Sequence, residues 1–362
     1  MSCSQLGKKP SGERLEKITK SPNYKNGAFQ NLEDTIMMTT DRSMVSSLWE
    51  FMVRKIPHAQ PEKALPSQKT DLLKLDPKEN ALVWFGHSSY FLQVDGKKIL
   101  VDPVFSGHAA PFSFMVKAFA GTDVYTAQEM PEIDYLVITH DHYDHLDYQT
   151  VKELKNKVKN VICGLGVGEH LESWGYDPKI IMEGDWNESF DLGSGFELTV
   201  LPARHFSGRT FTRNQTLWAS YALKTPTLKL FLGGDGGYGK HYKAIGDKYG
   251  PFDLAMLENG QYNEDWRYIH MMPEETYHAA IDLKTKKLLA VHSAKYILSK
   301  HSWDEPLKRI SAADDRNLLI TPMIGEKVKL NDPKQTFVKW WKFIDAQEKE
   351  GELQKVSEVS TP

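Results

Sequence analysis

Cysteine is nearly absent: Cys3 and Cys163 are the only two in 362 residues, so no disulfide framework holds this chain and its core must do so. Long apolar runs are missing too. No segment approaches the roughly 18 consecutive apolar residues that a membrane helix needs, and nothing repeats at a fixed period. Positive charge is not in excess either. With 45 Lys and Arg against 48 Asp and Glu, the formal net charge is -3. Without a basic run, little is available to neutralise a phosphate backbone. A nucleic-acid partner is therefore not expected, which disfavours a tRNA-processing nuclease.

What the chain does have is bulk. At 40% hydrophobic content it can bury an extensive core. Residues 1–30 are rich in Lys, Ser, Pro, Gly and Asn and predict a poorly ordered lead; 31–79 read as an extension and linker, with a short helix over Leu48–Lys55 and prolines between Ile56 and Gln68; 80–344 carry the folded domain; 345–362 form a charged tail. Strands are predicted over Leu82–Phe85, Tyr90–Val94 and Lys98–Val101, the last two joined by Asp95-Gly96, a strong hairpin signal. Helices are predicted over Tyr148–Asn156, Val167–Trp174, Gly239–Lys248, Pro273–Leu283 and Trp303–Ile310. Further strands are expected near Val161, Ile180, Leu198, Tyr221, Leu230, Leu254, Leu289 and Leu319. Cys163 reads as a buried strand residue. Cys3, in a Ser-Cys pair followed by a polar segment, is either incidental or the site of a lipid anchor, so a cytoplasmic and an envelope-anchored location both stay open.

Chemistry concentrates in Thr139-His140-Asp141-His142-Tyr143-Asp144-His145-Leu146-Asp147. The preceding run Tyr135–Ile138 has the β-branched content of a buried strand, and alternation at its end should turn His140 and His142 one way. If a helix begins near Asp144, that residue and His145 swing toward a second position. Imidazole and carboxylate donors of this mixture suit zinc, with iron or manganese as alternatives. Such a cluster cannot complete two coordination shells alone. Later strand ends offer more: His205 after Leu198–Leu201, Asp235 after Leu228–Leu232, and His292 after Leu288–Val291. Gly233 and Gly234 would let backbone pass close to a metal. Each of these polar residues stands just beyond a buried strand, where α/β sheets carry function.

These residues, in this order, resemble the metallo-β-lactamase superfamily. The resemblance implies an α/β four-layer αβ/βα sandwich: two mixed β-sheets flanked by helices, using about 250 residues as one unit. It also implies that His140, His142 and His205 hold one metal, that Asp144, His145 and His292 hold the other, and that Asp235 bridges two zinc ions. Asp102 stands where the family keeps a carboxylate that orients a metal-bound histidine, or else marks an ordinary turn before Pro103. Within the superfamily, residues from about Asn80 to Met323 are similar to the N-acylphosphatidylethanolamine phospholipase D family. The similarity rests on Leu82–Ser89, Asp102–Ser106, Arg204–Arg209, Gly234–Tyr238, Gly250–Ala255 and His270–Glu275 as well as the histidine loop. Glu258–Asn263 and Ser293–Lys295 depart from that family and are expected near the pocket rim.

The implied activity is phosphodiester hydrolysis, of a small molecule or a lipid, by a hydroxide held between two cations. His270 becomes a candidate for phosphate contact or proton donation, or else a solvated residue at a helix start. Tyr143 either reaches substrate or packs. Asp144 would serve both ligation and catalysis, His87 a structural or orienting role rather than ligation, and Arg209 an anionic headgroup or a surface ion pair. Phe105, Pro111, Phe112, Phe114, Met115, Val116 and Phe119 form an apolar run that offers a membrane landing surface, covers the core, or packs a second subunit; a homodimer is compatible with the resemblance. Alternatives are a lactonase acting on a phosphorylated sugar and a non-catalytic metal-binding module. A flavo-diiron enzyme is disfavoured because it uses glutamate where His142 stands, and β-lactamase activity because those enzymes depart from this ligand set.

Overall fold

The computed structural model describes residues 3–40, 56–210 and 212–344. The helix expected over Leu48–Lys55 and the charged tail lie outside the described residues, as does the side chain of Cys3. In chain order, a helix α1 (Gly12–Thr19) and a two-stranded hairpin, β1 (Tyr24–Lys25) and β2 (Ala28–Phe29), precede the main body. The first half then runs β3 (Ala81–Trp84), β4 (Tyr90–Val94), β5 (Lys97–Val101), β6 (Ile133–Ile138), α2 (Tyr148–Leu154), β7 (Val158–Gly164), α3 (Gly168–Ser173) and β8 (Ile181–Gly184). The second runs β9 (Ser189–Gly193), β10 (Phe196–Leu201), β11 (Ser220–Lys224), β12 (Lys229–Leu232), α4 (Lys240–Lys248), β13 (Leu254–Glu258), α5 (Pro273–Asp282), β14 (Leu288–Val291), α6 (Glu305–Ala313) and β15 (Leu319–Ile320). A last strand, β16 (Lys327–Lys329), returns to the first sheet.

Two seven-stranded mixed sheets result, ordered β16-β3-β4-β5-β6-β7-β8 and β15-β14-β13-β12-β11-β10-β9. Each has an antiparallel part and a parallel part, β5 to β8 in one and β12 to β15 in the other. The expected sandwich of two mixed sheets with flanking helices is thus present. Parallel strands covered on both faces read as continuous apolar runs, and β6 shows why. Tyr135 and Val137 enter the core between the sheets, while Leu136 and Ile138 enter the one under the helices. At the β4–β5 turn, Asp95 (φ 45°) and Gly96 (φ 79°) are both left-handed, the geometry of a tight hairpin turn that keeps the strand twist.

The N-terminal lead is not loose. The Arg14 guanidinium on α1 binds Glu183 at 2.6 Å and Glu169 at 2.8 Å, and Ile18 is fully buried. Composition hid this because ion pairs, not apolar periodicity, hold the segment down. The β1–β2 hairpin, β9 and β16 were likewise not expected.

Candidate metal centre

Asp102, His140, Asp235, Glu258 and His292 all lie at the carboxyl ends of parallel strands or just beyond them, at β5, β6, β12, β13 and β14 respectively, which gathers them along one edge of the sandwich. After β6 the chain makes a single turn, His145 N–H and Leu146 N–H both donating to the His142 carbonyl at 3.1 and 2.8 Å. The helix starts at Tyr148, as its expected range has it, and not near Asp144; it is capped by Asp147, whose carboxylate accepts from Thr150 N at 3.3 Å. That one turn suffices to carry Asp144 and His145 round.

The structure brings all seven predicted ligands together. His142 Nδ1 lies 2.8 Å from His140 Nε2 and 3.3 Å from His205 Nε2, forming one donor set. Asp144 Oδ2 lies 3.5 Å from His145 Nε2 and 3.4 Å from His292 Nε2, forming a second. Between them, Asp235 Oδ2 stands 3.0 Å from His292 Nε2, 3.2 Å from His145 Nε2 and 3.9 Å from both His140 Nε2 and His205 Nε2. His145 Nε2 and Asp235 Oδ1 are buried without a hydrogen-bond partner. Buried polar atoms are rarely left so, and a divalent cation is what would satisfy nitrogen and carboxylate atoms converging in this way.

Charge separates the two sets. Burial drives the His140 and His205 imidazoles well below their usual pKa and lowers His142 as well, leaving neutral nitrogen donors. Burial opposes protonation of His145 and His292 too, but Asp235 and Asp144 outweigh it, lifting His145 well above its usual range and His292 to about 10. A cation taking the place of those protons would release them on binding.

Second contacts orient the ligands. Asp102 Oδ2 lies 2.8 Å from His145 Nδ1 and accepts from Thr139 Oγ1 at 2.6 Å, and Oδ1 accepts from Thr139 N at 2.9 Å, so it is an orienting carboxylate rather than a plain turn residue. Burial pushes its pKa up, against those bonds. His87 Nε2 lies 2.9 Å from Asp144 Oδ2; burial and the neighbouring His292 push its pKa down to about 3. The His87 loop is paired with the His292 turn, His292 N to His87 O at 2.9 Å and His87 N to Ser293 O at 3.0 Å. His87, Asp102 and His292 all hold left-handed backbone, φ 52°, 42° and 64°, strain of a kind that clusters at functional sites.

Three expectations are corrected. Tyr143 gives its hydroxyl proton to the Arg209 carbonyl and stacks under the Arg209 guanidinium; it does not line the cavity over the ligands and so packs. Arg209 is neither a headgroup contact nor a surface ion pair. It is buried and donates to the carbonyls of Asp141 (2.8 Å), Leu146 (2.7 Å) and Gln5 (2.7 Å), bracing the histidine loop from behind. Gly233 and Gly234 are small for neighbouring strands, not for a metal: a Cβ would meet Met256 O at 2.3 Å and Ala219 O at 2.7 Å.

The cavity above the ligands holds about 380 Å³ and its other walls are largely apolar: Met37, Met38, Phe206, Trp266, Ile297 and Leu298 among them. The N-terminal extension therefore forms part of it. Val116 lines it as well, at the end of the Phe105–Phe119 loop. Phe119 is buried and Phe105 packs on Phe85, whereas Phe112, Phe114 and Met115 are exposed. A larger depression of about 830 Å³, bordered by Glu33, Arg204, Lys240 and Tyr268, contains none of the seven ligands and is separate from this chemistry. Gln261 borders the ligand cavity as expected of a rim residue, but Glu258 and Lys295 are buried at 1% exposure. Lys295 Nζ donates to Val104 O at 3.0 Å, and Glu258 Oε2 lies 2.6 Å from His270 Nδ1. Glu258 was missed as a site residue although its signal, an acid ending an apolar strand, matches that of Asp235. Asp141 was missed too; buried, it accepts from Gly208 N at 2.7 Å and Thr216 Oγ1 at 2.9 Å and contacts His170 Nε2 at 3.2 Å.

Residues 97–293 match the family model described as Beta-lactamase superfamily domain. An uncharacterized protein of Mycobacterium tuberculosis is 39% identical over 332 residues, covering 89% of this chain and 88% of its own. N-acyl-phosphatidylethanolamine-hydrolyzing phospholipase D 1 of Caenorhabditis elegans is 26% identical over 279 residues, 70% of this chain and 77% of that one. Among solved structures, Igni18, a metallo hydrolase of Ignicoccus hospitalis, superposes with a TM-score of 0.52 at 20% identity, covering 69% of this chain and 97% of that one.

Proposed function

We propose, from the premise that this chain belongs to the beta-lactamase superfamily and is a metal-dependent hydrolase, that it cleaves phosphodiesters bearing an apolar group at a dinuclear zinc centre. The observation that carries this reading is the position of Asp235 Oδ2 between two donor sets, within 3.9 Å of four imidazole nitrogens. His140, His142 and His205 would hold one ion, Asp144, His145 and His292 the other, and Asp235 both. When bound, such a pair supplies Lewis acidity and lowers the pKa of a water held between the ions; iron or manganese would be held by the same donors.

The chain's own residues supply the rest. His270 borders the cavity beside the ligands, its ring 5.1 Å from those of His205 and His292, where it can meet a phosphate oxygen or protonate a leaving alkoxide. The apolar walls exclude water from all but the reacting end and strengthen the electrostatics there. They suit an acyl or alkyl group better than a phosphorylated sugar, which favours a diester over a sugar lactone. The nematode relative's name, with its phospholipase D activity, supports the same class. The exposed tip Phe112, Phe114 and Met115, with Phe112 and Phe114 stacked at 5.7 Å, leads through Val116 into the cavity wall; we assign it to contact with a lipid surface presenting that substrate.

The test is elemental analysis followed by a direct comparison of bis-p-nitrophenyl phosphate, N-acylphosphatidylethanolamine and a phosphorylated lactone. Two zinc ions per chain and cleavage of the diesters are expected. Lactone opening without diester cleavage overturns the reaction class, and a protein that takes up no cation overturns the site.

A further inference from the structure

We infer that Glu258 is the positioning residue for His270, fixing the ring by its Nδ1 so that Nε2 is left to the cavity as proton donor to the leaving oxygen; this rests on the phosphodiesterase reading above. Glu258 is the last residue of β13 and is 1% exposed. Each of its carboxylate oxygens is engaged: Oε2 lies 2.6 Å from His270 Nδ1, and Oε1 accepts from Met271 N at 2.6 Å. Its own carbonyl accepts from Thr276 Oγ1 at 2.9 Å, which ties the strand end to α5. A carboxylate whose second oxygen is held by Met271 N, on a strand end tied to α5, can fix both the tautomer and the plane of the imidazole at its first oxygen.

Ligand atoms of Glu258, Asp235, His270 and His292 lie within 4.8 Å of one another, and of these three neighbours His270 is the one in hydrogen-bond contact with Glu258. Its Oε2 lies 3.6 Å from His292 Nδ1, whereas His292 Nε2, on the other side of that ring, faces Asp144 and Asp235. The carboxylate therefore reaches the Nδ1 side of the His292 ring, not its Nε2 side, and faces His270. The His270 ring stands 5.1 Å from those of His205 and His292, one from each donor set, and the carbonyl of Ile269 beside it lies 2.9 Å from His205 Nδ1. In the reaction water, having given one proton to solvent, attacks as hydroxide, and its oxygen forms a bond to phosphorus while the bond from phosphorus to the alkoxide breaks with its electron pair. The Nε2 proton passes to that alkoxide, giving the alcohol. The Nδ1 proton stays on His270, hydrogen-bonded to Glu258, and His270 regains its Nε2 proton from solvent.

The experiment compares zinc-loaded wild type, Glu258→Gln, Glu258→Asp, His270→Ala and the double variant Glu258→Gln/His270→Ala. Two substrates are used: bis-p-nitrophenyl phosphate, whose phenolate leaves without a proton, and N-acylphosphatidylethanolamine, whose alkoxide does not. Expected is a kcat loss of about 10²-fold on the lipid for Glu258→Gln and His270→Ala, a clearly smaller loss on the activated diester, zinc content intact, and the double variant no slower than His270→Ala. Glu258→Asp should fold and lie between wild type and Glu258→Gln. Independently of turnover, long-range proton–nitrogen spectra of metal-free protein should show His270 protonated at Nδ1 in wild type and altered in Glu258→Gln. Equal losses on both substrates, multiplicative losses in the double variant, or a wild-type His270 bare at Nδ1 each overturn the inference. A wild type that cleaves only the activated diester overturns the donor role, whereas one that cleaves neither overturns the phosphodiesterase reading on which it stands.

Discussion

The two halves of the sandwich supply the same centre in opposite ways. From the first sheet, His140, His142, Asp144 and His145 come on one turn of chain; from the second, His205, Asp235 and His292 come singly from separate strand ends. Strand ends are held by the ladder itself, as in Gly233 N to Met256 O and Asn259 N to Val291 O, both 2.9 Å. The histidine loop has no ladder and is held by side chains from elsewhere: Asp102 from β5, Arg209 from the segment after His205, and Gln5 through Arg209. A loop concentrates ligands at the cost of side-chain braces, while ligands near strand ends come singly and lean on the ladder and on backbone neighbours, as His292 N does on His87 O.

The largest effect should separate the two donor sets. Asp235→Asn touches both and should abolish turnover with bound metal falling below one ion per chain. His142→Ala touches only the first, so turnover should also be lost while about one ion is retained. Elemental analysis beside far-ultraviolet circular dichroism checks this, and equal metal loss in the two variants breaks the two-set picture. Next, Asp102→Asn leaves every ligand in place but removes the carboxylate behind His145. Metal affinity and rate should fall by roughly 10- to 100-fold, measured by zinc titration against a chelator. No loss at all would mean that the turn holds His145 without its brace.

The same contrast explains what was legible in the sequence. All seven ligand candidates could be found because each is a chemically costly group placed just after an apolar run, and four of them are near neighbours. Glu258 had the same signature but lay outside the family resemblance. The braces were unreadable for a different reason. Nothing in Phe206–Arg209 reveals that Arg209 turns inward to cap Asp141 O and Leu146 O, since such contacts follow from tertiary packing alone. The central sandwich strands were visible as runs buried on both faces, whereas β9, with none of its five residues buried, and β16, with only Val328 buried of its three, are specified by pairing with β10 and β3. Likewise α1 owes its place to Arg14 and its glutamates, which composition reads as solvated charge.

An effect of middle size tests a brace through stability rather than activity. Burial opposes ionisation of Asp141, yet the His170 contact, His142 and Arg209 together hold its carboxyl well below the usual range. A folded-state pKa below the unfolded one stabilises the fold above the unfolded value, about 3.9, and that contribution is lost as pH falls toward the folded value. Asp141→Asn should therefore cost about 2 kcal/mol at pH 7, with the gap to wild type closing below about pH 4. Denaturant melts at both pH values measure it; a gap that widens on acidification would show that the carboxylate is not the stabilising form.

The smallest effect concerns the rim, where neither half dominates: Met37 and Met38 come from the N-terminal extension, Val116 from the first half and Leu298 from the second. Phe114, 69% exposed at the tip of the Phe105–Phe119 loop, is too far into solvent to support the core. Phe119 and Phe105 anchor the loop from below, so Phe114→Ser should leave melting temperature and bis-p-nitrophenyl phosphate hydrolysis unchanged. Burying most of a phenylalanine in an apolar phase is worth about 1.5 kcal/mol or more, which corresponds to roughly tenfold in partitioning. Sedimentation with phosphatidylethanolamine-containing vesicles should show that loss, with lipid turnover falling in parallel. If vesicle binding is unchanged, the exposed tip serves another surface; if the soluble diester slows as well, the loop shapes the cavity through Val116 instead of reaching the lipid.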